Sequence, residues 1–425
     1  MDFGLCVVGC GGYTQMVMEE FLDLPEKVNL FFASRDLQKS KEYAQKYKAT
    51  DYFGDYEHAA RDPRVNAMYF ITPHDVHLEN VKLATKYKKD ILLEKPIART
   101  LKEGRQILKI TKDNNIKCMI AENYQFMPVN IAAKQIIQSG RLGEIRQVDI
   151  NCVIRSDFSA WTWRNDIKRS GGGRFIDGGI HYVNLLINFI GIPSTVFALS
   201  AINSIPNLEG EDSLTMLCKN SDGLVGSIHY SIASRVSGTR ENITVRGTQA
   251  ELTFETGSSN LLITELDTKE NVKLPVGGPG RRETIIEFLE CVVSGKDIQM
   301  TCEKGKQDKT VVNAQRVENY NSELFANDAT PRLAVMFQNV SLERLEEYQK
   351  YWDRHLKGKP HRPILISTGE GEGSVKIDKV GLAPNEMSFK QYSQWMLEQI
   401  MSVFNMQPLV LGMVTPNTGK LNSER

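Results

Sequence analysis

Residues 3–14 have the sequence FGLCVVGCGGYT, an apolar run that ends in a glycine-rich turn. The run is typical of a strand buried on both faces. Gly9 and Gly11 allow a tight turn close to a pyrophosphate, and a following helix N-terminus would supply N–H donors. Thr14 stands where a third glycine is usual, and a small residue still fits there. The segment predicts a dinucleotide site formed by Gly9, Gly11, Gly12, Tyr13 and Thr14. The open alternative is a glycine-rich turn of some other α/β protein.

Alternating strand and helix patterns continue from this turn to about residue 121. The predicted strands after the first are residues 28–33, 67–71, 91–93 and 117–121, and the predicted helices are 15–24, 37–46, 78–87 and 101–111. Such alternation indicates a parallel sheet with right-handed crossovers. We therefore interpret residues 1–124 as a dinucleotide-binding Rossmann domain of the α/β class.

A different pattern follows, with longer strands of alternating polarity. The predicted strands are residues 146–154, 196–200, 213–217, 224–231, 242–246, 251–255 and 261–265, and the predicted helices are 130–138, 181–190, 283–294 and 306–323. This pattern indicates an α+β domain over residues 125–326, with a mostly antiparallel open sheet and helices on one face. From residue 327 to 425 we expect an extra helical or irregular segment, with helices at 341–356 and 389–404.

The bulk composition excludes some classes of partner. The 425-residue chain has 52 basic and 52 acidic residues, so no net charge attracts nucleic acid or an anionic membrane. No apolar run approaches the roughly 18 residues of a membrane helix, and we interpret the N-terminal residues as a strand rather than a signal peptide. The seven cysteines are scattered without a CxxC pair, which favours a reduced, cytoplasmic protein over a disulfide-bonded one.

The residues after the second predicted strand bear on the choice of cofactor. NAD-binding domains usually place an acidic residue there to bind the ribose 2′-OH, whereas this chain has Ser34 and Arg35. A hydroxyl and a guanidinium suit a 2′-phosphate, so we expect NADP to be preferred over NAD. The adjacent Asp36 keeps NAD open, as does the alternative that Arg35 is a solvated residue at the start of a helix.

Lys95 is the sharpest candidate for chemistry, because it follows a predicted buried strand and precedes Pro96. A cis bond before proline has a modest cost and would aim the lysine into a cleft. Its ammonium could bind a substrate hydroxyl and a cofactor ribose, and could help the hydroxyl to ionise. The alternative is a surface lysine beside a turn.

A second cluster is the glycine-rich segment 171–181, which contains Asp177 and His181. If both open a helix, a spacing of four residues places them on the same side. Oxidation of an alcohol needs a base for the hydroxyl proton, and histidine titrates in the right range while the aspartate binds or orients. A helix cap plus a core histidine is the structural alternative. We expect no metal, because no third ligand stands at a convincing spacing.

Taken together, these motifs resemble the Gfo/Idh/MocA oxidoreductases over about residues 3–325. The resemblance implies a Rossmann domain plus an α/β domain whose open sheet often forms homodimers or homotetramers. It also implies a nicotinamide cofactor and a sugar, cyclitol or related polyol as substrate. The motifs that carry it are the glycine turn, Thr72-Pro73 with His77, Glu94-Lys95-Pro96, Trp163-Arg164, the 171–181 segment and residues 313–322.

The same resemblance assigns roles by motif. It implies that Lys95 is the catalytic lysine, that His181 is the acid/base and that Asp177 is a neighbouring substrate-site carboxylate. Two departures stand out: Thr14 in the glycine turn, and Tyr87-Lys88-Lys89 where the family usually has a glycine-containing turn. The implied cofactor-side residues are Thr72, Pro73, His77, Glu94 and Pro96, and the implied substrate-side residues are Asn123, Tyr124, Trp163 and Arg164, the last two with a packing role as the alternative.

Residues from about 329 to 425 resemble part of a different family, the phage portal proteins. The resemblance rests on Pro331-Arg332-Leu333, residues 341–358, residues 363–366 and Ala383-Pro384, among other short matches. It implies no catalytic role. Three origins stay open: an artificial join from a mis-assembled gene, a real fusion, and an ordinary extension of the first family that looks portal-like by chance.

Three functions compete at this point. The first is an NAD(P)-dependent oxidoreductase acting on the alcohol group of a sugar-like substrate. The second is a protein of the same fold that holds a dinucleotide without turnover. The third is a phage structural protein, which would explain the tail alone. The joint presence of Lys95, Asp177 and His181 favours the enzyme.

Overall fold

The computed structural model describes residues 3–21, 28–154, 162–202, 205–234, 240–275 and 277–308, and the strands at 334–338, 364–367 and 374–378. The chain divides into two compact units, Met1–Glu318 and Asn319–Arg425. The first unit contains the first predicted domain and the second predicted domain up to residue 318. None of the described helices is long and apolar enough to cross a lipid bilayer.

A six-stranded parallel sheet forms the first domain. Its order is β3-β2-β1-β4-β5-β6, so the strand order reverses between β1 and β4. In such a sheet the ligand crevice lies at this switch point, outside the carboxyl ends of the strands. The strands are β1 (Phe3–Val8), β2 (Val28–Ala33), β3 (Asp51–Phe53), β4 (Ala67–Phe70), β5 (Asp90–Glu94) and β6 (Cys118–Ala121).

The helices of this domain begin where the sequence supplies side-chain caps. The Asp36 carboxylate accepts from the backbone N–H groups of Gln38 and Lys39, and Thr100 caps its helix in the same way. The helices are α1 (Gly12–Glu20), α2 (Leu37–Lys46), α3 (Tyr56–Arg61), α4 (His77–Lys86) and α5 (Leu101–Asp113).

Some predicted boundaries and elements need correction. Helix α1 begins at Gly12 and ends at Glu20 rather than spanning 15–24, because Gly11 already serves as its N-cap. The end predicted at Pro25 lies outside the described residues. The short elements β3 and α3 were not predicted, since three and six residues carry too little periodicity.

An eight-stranded sheet forms the second domain, in the order β14-β13-β12-β11-β7-β10-β9-β8. Neighbouring strands pair antiparallel except β7 and β10, which are parallel. The predicted, mostly antiparallel sheet is therefore confirmed. Its strands are β7 (Ile145–Val153), β8 (Thr195–Ala201), β9 (Ser213–Lys219), β10 (Val225–Ser231), β11 (Arg240–Gly247), β12 (Glu251–Phe254), β13 (Asn260–Thr264) and β14 (Lys269–Lys273).

One of its helices lies in the core of the second domain. Helix α8 (Ile180–Ile190) is apolar nearly all round and packs on β7 and β10, as expected of a helix without a solvent-facing side. It follows directly on a single π-helical turn, Phe175–Gly179. The other helices are α6 (Pro128–Gln138), α7 (Ile167–Ser170) and α9 (Arg281–Ser294). Residues 302–308 are also helical, and the rest of the helix predicted at 306–323 lies outside the described residues.

The second unit contains a three-stranded sheet in the order β16-β15-β17. The strands are β15 (Ala334–Gln338), β16 (Ile364–Ser367) and β17 (Ser374–Asp378), with β15 parallel to β16 and antiparallel to β17. The segment interpreted as helical or irregular therefore includes strands, which short runs rich in Val and Ile favour. The helices predicted at 341–356 and 389–404 lie outside the described residues.

Candidate active site

The glycine turn lies at the switch point between β1 and β4. Gly9 has φ of +105°, and a Cβ atom there would lie 2.2 Å from the carbonyl oxygen of Ile71, so no other residue fits. The buried Thr14 donates its hydroxyl to the Gly9 carbonyl at 2.6 Å, which explains how threonine replaces the usual third glycine. At Gly11 and Gly12 a Cβ would meet no atom within 4 Å. This open space beside the start of α1 is what a pyrophosphate needs.

The carboxyl end of β2 presents positive charge to the same cleft. Arg35 is exposed, and it lines the cleft together with Ser34 and Lys39. Burial raises the pKa of the nearby Tyr56 phenol, and the Arg35 guanidinium opposes that rise. The Asp36 carboxylate is engaged in capping α2. The local charge therefore suits an anionic group better than a neutral hydroxyl.

Lys95 and Asp177 meet in the inner part of the cleft. Lys95 precedes a cis peptide bond to Pro96. Its ammonium donates to the backbone carbonyl of Asp177 at 2.6 Å and lies 3.4 Å from the Asp177 carboxylate. The two residues come from different domains, 82 positions apart in sequence. The predicted catalytic lysine and the predicted carboxylate are therefore direct neighbours.

Asp177 is a buried anion surrounded by cations. Its Oδ2 lies 3.0 Å from Arg164 Nε and 2.9 Å from Arg174 Nη1. Its Oδ1 faces His74 Nε2 at 3.9 Å. Burial alone would raise the pKa of Asp177, but Lys95, Arg164 and Arg174 hold it well below its usual range. Asp177 is thus a fixed negative charge in the cleft.

Glu94 behaves in the opposite way although it is one residue from Lys95. It is buried and accepts a hydrogen bond from the Tyr69 phenol at 2.6 Å. Burial raises the pKa of Glu94 to about 7, and the Lys95 charge offsets only part of this rise. The cleft thus holds one carboxylate, Asp177, whose pKa is held low, and another, Glu94, whose pKa is close to physiological pH.

His181 lies beside this cluster, on the first turn of α8. Its Nδ1 is 2.6 Å from Glu122 Oε1, and its ring stacks on Tyr124 with centroids 4.1 Å apart. Burial lowers the pKa of His181, and the Glu122 carboxylate partly opposes this effect. Asp177 belongs to the π turn that precedes α8, and its hydrogen-bond partners differ from those of His181.

Several predicted residues are not among those that line the cleft. The ring nitrogens of the fully buried His77 lie 3.0 Å from the Pro96 carbonyl oxygen and 3.1 Å from that of Thr72, so the ring ties two loops together. Asn123 is buried, and its side-chain amide donates a hydrogen bond to the carbonyl of Pro279 at 2.6 Å, which ties the end of β6 to the loop before α9. The predicted residues that do not line the cleft are His77, Pro96, Asn123, Tyr124 and His181.

The other predicted residues converge on one cleft of about 370 Å³. Trp163 and Arg164 are among the lining residues, and the Arg164 guanidinium lies 4.4 Å from the Trp163 ring centroid. Sequence reasoning missed the neighbours His74, Arg174 and Glu122, although each adjoins a segment already singled out. The predicted residues that line the cleft are Gly9, Gly11, Gly12, Tyr13, Thr14, Ser34, Arg35, Thr72, Pro73, Glu94, Lys95, Trp163, Arg164 and Asp177.

Within the described part of the chain, no group of three or more His, Cys, Asp or Glu side chains is arranged to hold a metal ion. The charged groups of the cleft instead pair with one another, as Asp177 does with Lys95 and Arg164.

Similar proteins include both curated enzymes and solved structures. A trans-1,2-dihydrobenzene-1,2-diol dehydrogenase of Mus musculus is 29% identical over 211 residues, 49% of this chain and 61% of the mouse protein. That match spans less than two thirds of the mouse protein. The protein of the same name from Bos taurus is 26% identical over 286 residues, 66% of this chain and 82% of the bovine protein. The crystal structure of an aldose-aldose oxidoreductase from Caulobacter crescentus has a TM-score of 0.69 at 21% identity, covering 76% of this chain and 98% of the other, and supports the fold.

Two family models match the chain. One is described as an oxidoreductase family with an NAD-binding Rossmann fold and matches residues 3–122. The other is the GFO/IDH/MocA C-terminal domain and matches residues 131–253. Both matches lie before the tail, whose resemblance to portal proteins stays a prediction. Together they cover more than half of the sequence, so the chain belongs to the Gfo/Idh/MocA family of oxidoreductases.

Proposed function

We propose that this protein is an NAD(P)-dependent dehydrogenase that oxidises a secondary alcohol of a sugar, cyclitol or related polyol. The observation that carries the proposal is the single cleft that joins the glycine turn at Gly9 to the Lys95–Asp177 pair. A dinucleotide held at the turn would extend toward the one lysine that can contact a substrate hydroxyl. A binding protein without turnover has no need of this arrangement.

The residues present fit a nicotinamide dinucleotide. The open positions at Gly11 and Gly12 and the N-terminus of α1 would hold the pyrophosphate. Ser34, Arg35 and Lys39 would hold a 2′-phosphate, and Asp36, which also lines the cleft, uses its Oδ1 to cap α2. We therefore propose NADP as the preferred cofactor over NAD. When bound, the nicotinamide supplies the acceptor for the hydride.

The remaining steps belong to side chains of this chain. An ammonium has three N–H donors, and Lys95 directs two of them at Asp177, which leaves one for the oxygen of the reacting alcohol. Asp177, kept ionised by its cations, can accept from a neighbouring hydroxyl and fix the orientation of the ring. His181, kept neutral by burial, is the group that takes the hydroxyl proton.

A pair of neighbouring hydroxyls on a six-membered ring is the substrate feature we propose. The relatives named above are dehydrogenases of a trans-1,2-diol on such a ring. Pyranose sugars and cyclitols carry the same feature. One hydroxyl would face Lys95 and the other the Asp177 carboxylate, and the half-buried Trp163 side chain would contact the carbon ring.

We also propose a homodimer or homotetramer in the cytoplasm. Strand β8 exposes Phe197 and Leu199, and Phe197 is paired in register with the exposed Leu217 of β9. An apolar strip on the outer face of a sheet is typical of a surface covered by a second copy. The seven cysteines, all in the described part of the chain, are free thiols, which supports a reducing compartment.

The domain limits at residues 1–124, 125–326 and 327–425 remain part of this proposal. The tail raises a separate question of origin. An intact mass of the protein from its native source decides it: a mass that ends near residue 330 would make the tail an artefact of the gene sequence. A full-length mass would require a role for residues 327–425.

A fluorescence titration with NADPH and NADH is the first test. Tight NADPH binding with weak NADH binding supports the cofactor assignment, and binding of neither contradicts the proposal. Turnover is then measured with NADP or NAD against trans-cyclic diols, cyclitols and pyranoses. Dinucleotide binding without turnover of any alcohol would favour the non-catalytic alternative.

A further inference from the structure

Glu122 is a buried carboxylate that the sequence analysis did not single out. It follows β6 directly, its side chain is 1% exposed, and its Oε1 lies 2.6 Å from His181 Nδ1. The same oxygen accepts the backbone N–H of Tyr124 at 3.1 Å. Its other oxygen, Oε2, has no hydrogen-bond partner among the described residues. A carboxylate in this position is costly unless it has a charged or strongly polar partner.

The pairing fixes which nitrogen of His181 carries the proton. An ionised carboxylate accepts hydrogen bonds and cannot donate them, so the hydrogen of a neutral His181 must lie on Nδ1. Nε2 then carries the lone pair. The ring cannot turn freely, because it stacks on Tyr124 at an interplanar angle of 8°. Glu122 and Tyr124 thus hold the imidazole in one orientation and one tautomer.

We propose that Glu122 is a positioning residue for His181, holding the imidazole so that Nε2 takes the proton of the substrate hydroxyl. This inference rests on the proposed function. The O–H bond breaks toward Nε2, the hydride on the same carbon goes to the nicotinamide, and the substrate becomes a carbonyl. The resulting imidazolium is stabilised by the neighbouring Glu122 carboxylate.

The charges around His181 come from three directions. Glu122 faces it from the end of β6, Lys95 from the end of β5 and Asp177 from the π turn. Burial and Lys95 lower the pKa of His181, whereas Glu122 and Asp177 raise it. Removal of the Glu122 charge would therefore make His181 a weaker base. A purely structural Glu122, which only capped the turn at Tyr124, would have no such effect.

The variant Glu122→Gln separates these roles. Its amide oxygen can still accept the Tyr124 N–H, so the turn is kept while the charge is lost. Asp308→Asn is the matched control: Asp308 is equally buried and accepts from Asn184 at 3.0 Å, but it makes no hydrogen bond to His181. Burial raises the pKa of Asp308 well above its usual range, so the neutral asparagine mimics it.

Nitrogen-15 NMR of the His181 imidazole gives a readout independent of turnover. In the unmodified protein without cofactor we expect the Nδ1–H tautomer, and the Nε2–H tautomer would overturn the proposal without any variant. Glu122→Gln should lower the His181 pKa, and Asp308→Asn should leave it unchanged. An unchanged tautomer and pKa in Glu122→Gln would also overturn it.

Kinetics complete the test. With NADP and an alcohol that is turned over, Glu122→Gln should lower kcat about 10²-fold, shift the pH profile and leave KM nearly unchanged. The same exchange should cost nothing further in a His181→Asn background, because Glu122 acts through that ring. An equal loss in both backgrounds would refute the coupling. Failure to turn over any alcohol would contradict the proposed function, and the NMR result would still decide the role of Glu122.

Discussion

Replacement of Glu94 by glutamine should stabilise the protein at alkaline pH. Glu94 is buried beside Tyr69, and burial raises its pKa from 4.5 to about 7. Between these two values the folded protein keeps a proton that the unfolded chain has already released. The contribution of Glu94 to stability therefore falls as the pH rises from 4.5 to about 7, and stays low above that.

The magnitude follows from the same two values. Each pKa unit corresponds to about 1.4 kcal/mol, so the ionised Glu94 lowers the free energy of unfolding by about 3 kcal/mol relative to the protonated form. Glutamine carries no charge and its oxygen can still accept from the Tyr69 phenol. Glu94→Gln should therefore match the parent near pH 4.5 and exceed its free energy of unfolding by up to about 3 kcal/mol at pH 8.

Urea unfolding, followed by circular dichroism between pH 4.5 and pH 8.5, measures this difference. Groups other than Glu94 titrate in both proteins and cancel when the two curves are subtracted. Glu42→Gln, on the exposed side of α2, controls for the loss of a surface carboxylate. If the free energies of unfolding of Glu94→Gln and the parent differed by the same amount at every pH in this range, the raised pKa of Glu94 would be refuted.

Four further variants test the cleft. Arg35→Ala should weaken NADPH binding about tenfold and leave NADH within about twofold, and equal losses for both cofactors would refute the 2′-phosphate site. Lys95→Met should lower kcat by a factor of about 10² to 10⁴. The NADPH dissociation constant should change little, because Asp177 keeps its two arginine partners. Substantial remaining turnover would contradict the mechanism. Gly9→Ala should destabilise the fold by about 2 kcal/mol or more, as measured by thermal unfolding. Gly11→Ala, at φ of −116°, should fold normally but bind NADPH weakly in a titration. Normal NADPH binding by Gly11→Ala would place the pyrophosphate elsewhere.

Local features of the fold could be predicted from the sequence because each is encoded within a few residues. Strand β1, the turn at Gly9 and the capped helix α2 each carry their own signal in apolar runs, glycines or a cap. Strand β14 does not, because Lys269–Lys273 is polar and its pairing depends on a neighbouring strand. Lys88 illustrates the same limit: it adopts φ of 54°, in the region that usually favours glycine, where the turn lacks one.

The candidate site could be predicted only in part, because its members are joined across domains. Lys95 and Asp177 were each recognised from their own segments, but their contact spans 82 residues. The carboxylate partner of His181 is 59 residues away, and nothing near the histidine points to it. Sequence motifs thus identified candidate groups, and the tertiary structure supplied the partners that set their charges.

The same exchange of an acid for an amide should have opposite effects at two positions in this cleft. Glu94 faces a neutral phenol, so Glu94→Gln removes a charge that burial disfavours. Asp177 faces Lys95, Arg164 and Arg174, so Asp177→Asn would leave cations without a counter-charge in a mostly buried space. We expect Asp177→Asn to lower the free energy of unfolding by about 3 kcal/mol at pH 8. If urea unfolding showed that both exchanges change the free energy of unfolding in the same direction, the cations around Asp177 would be solvated. Asp177 would then not be held as a fixed charge that orients the substrate.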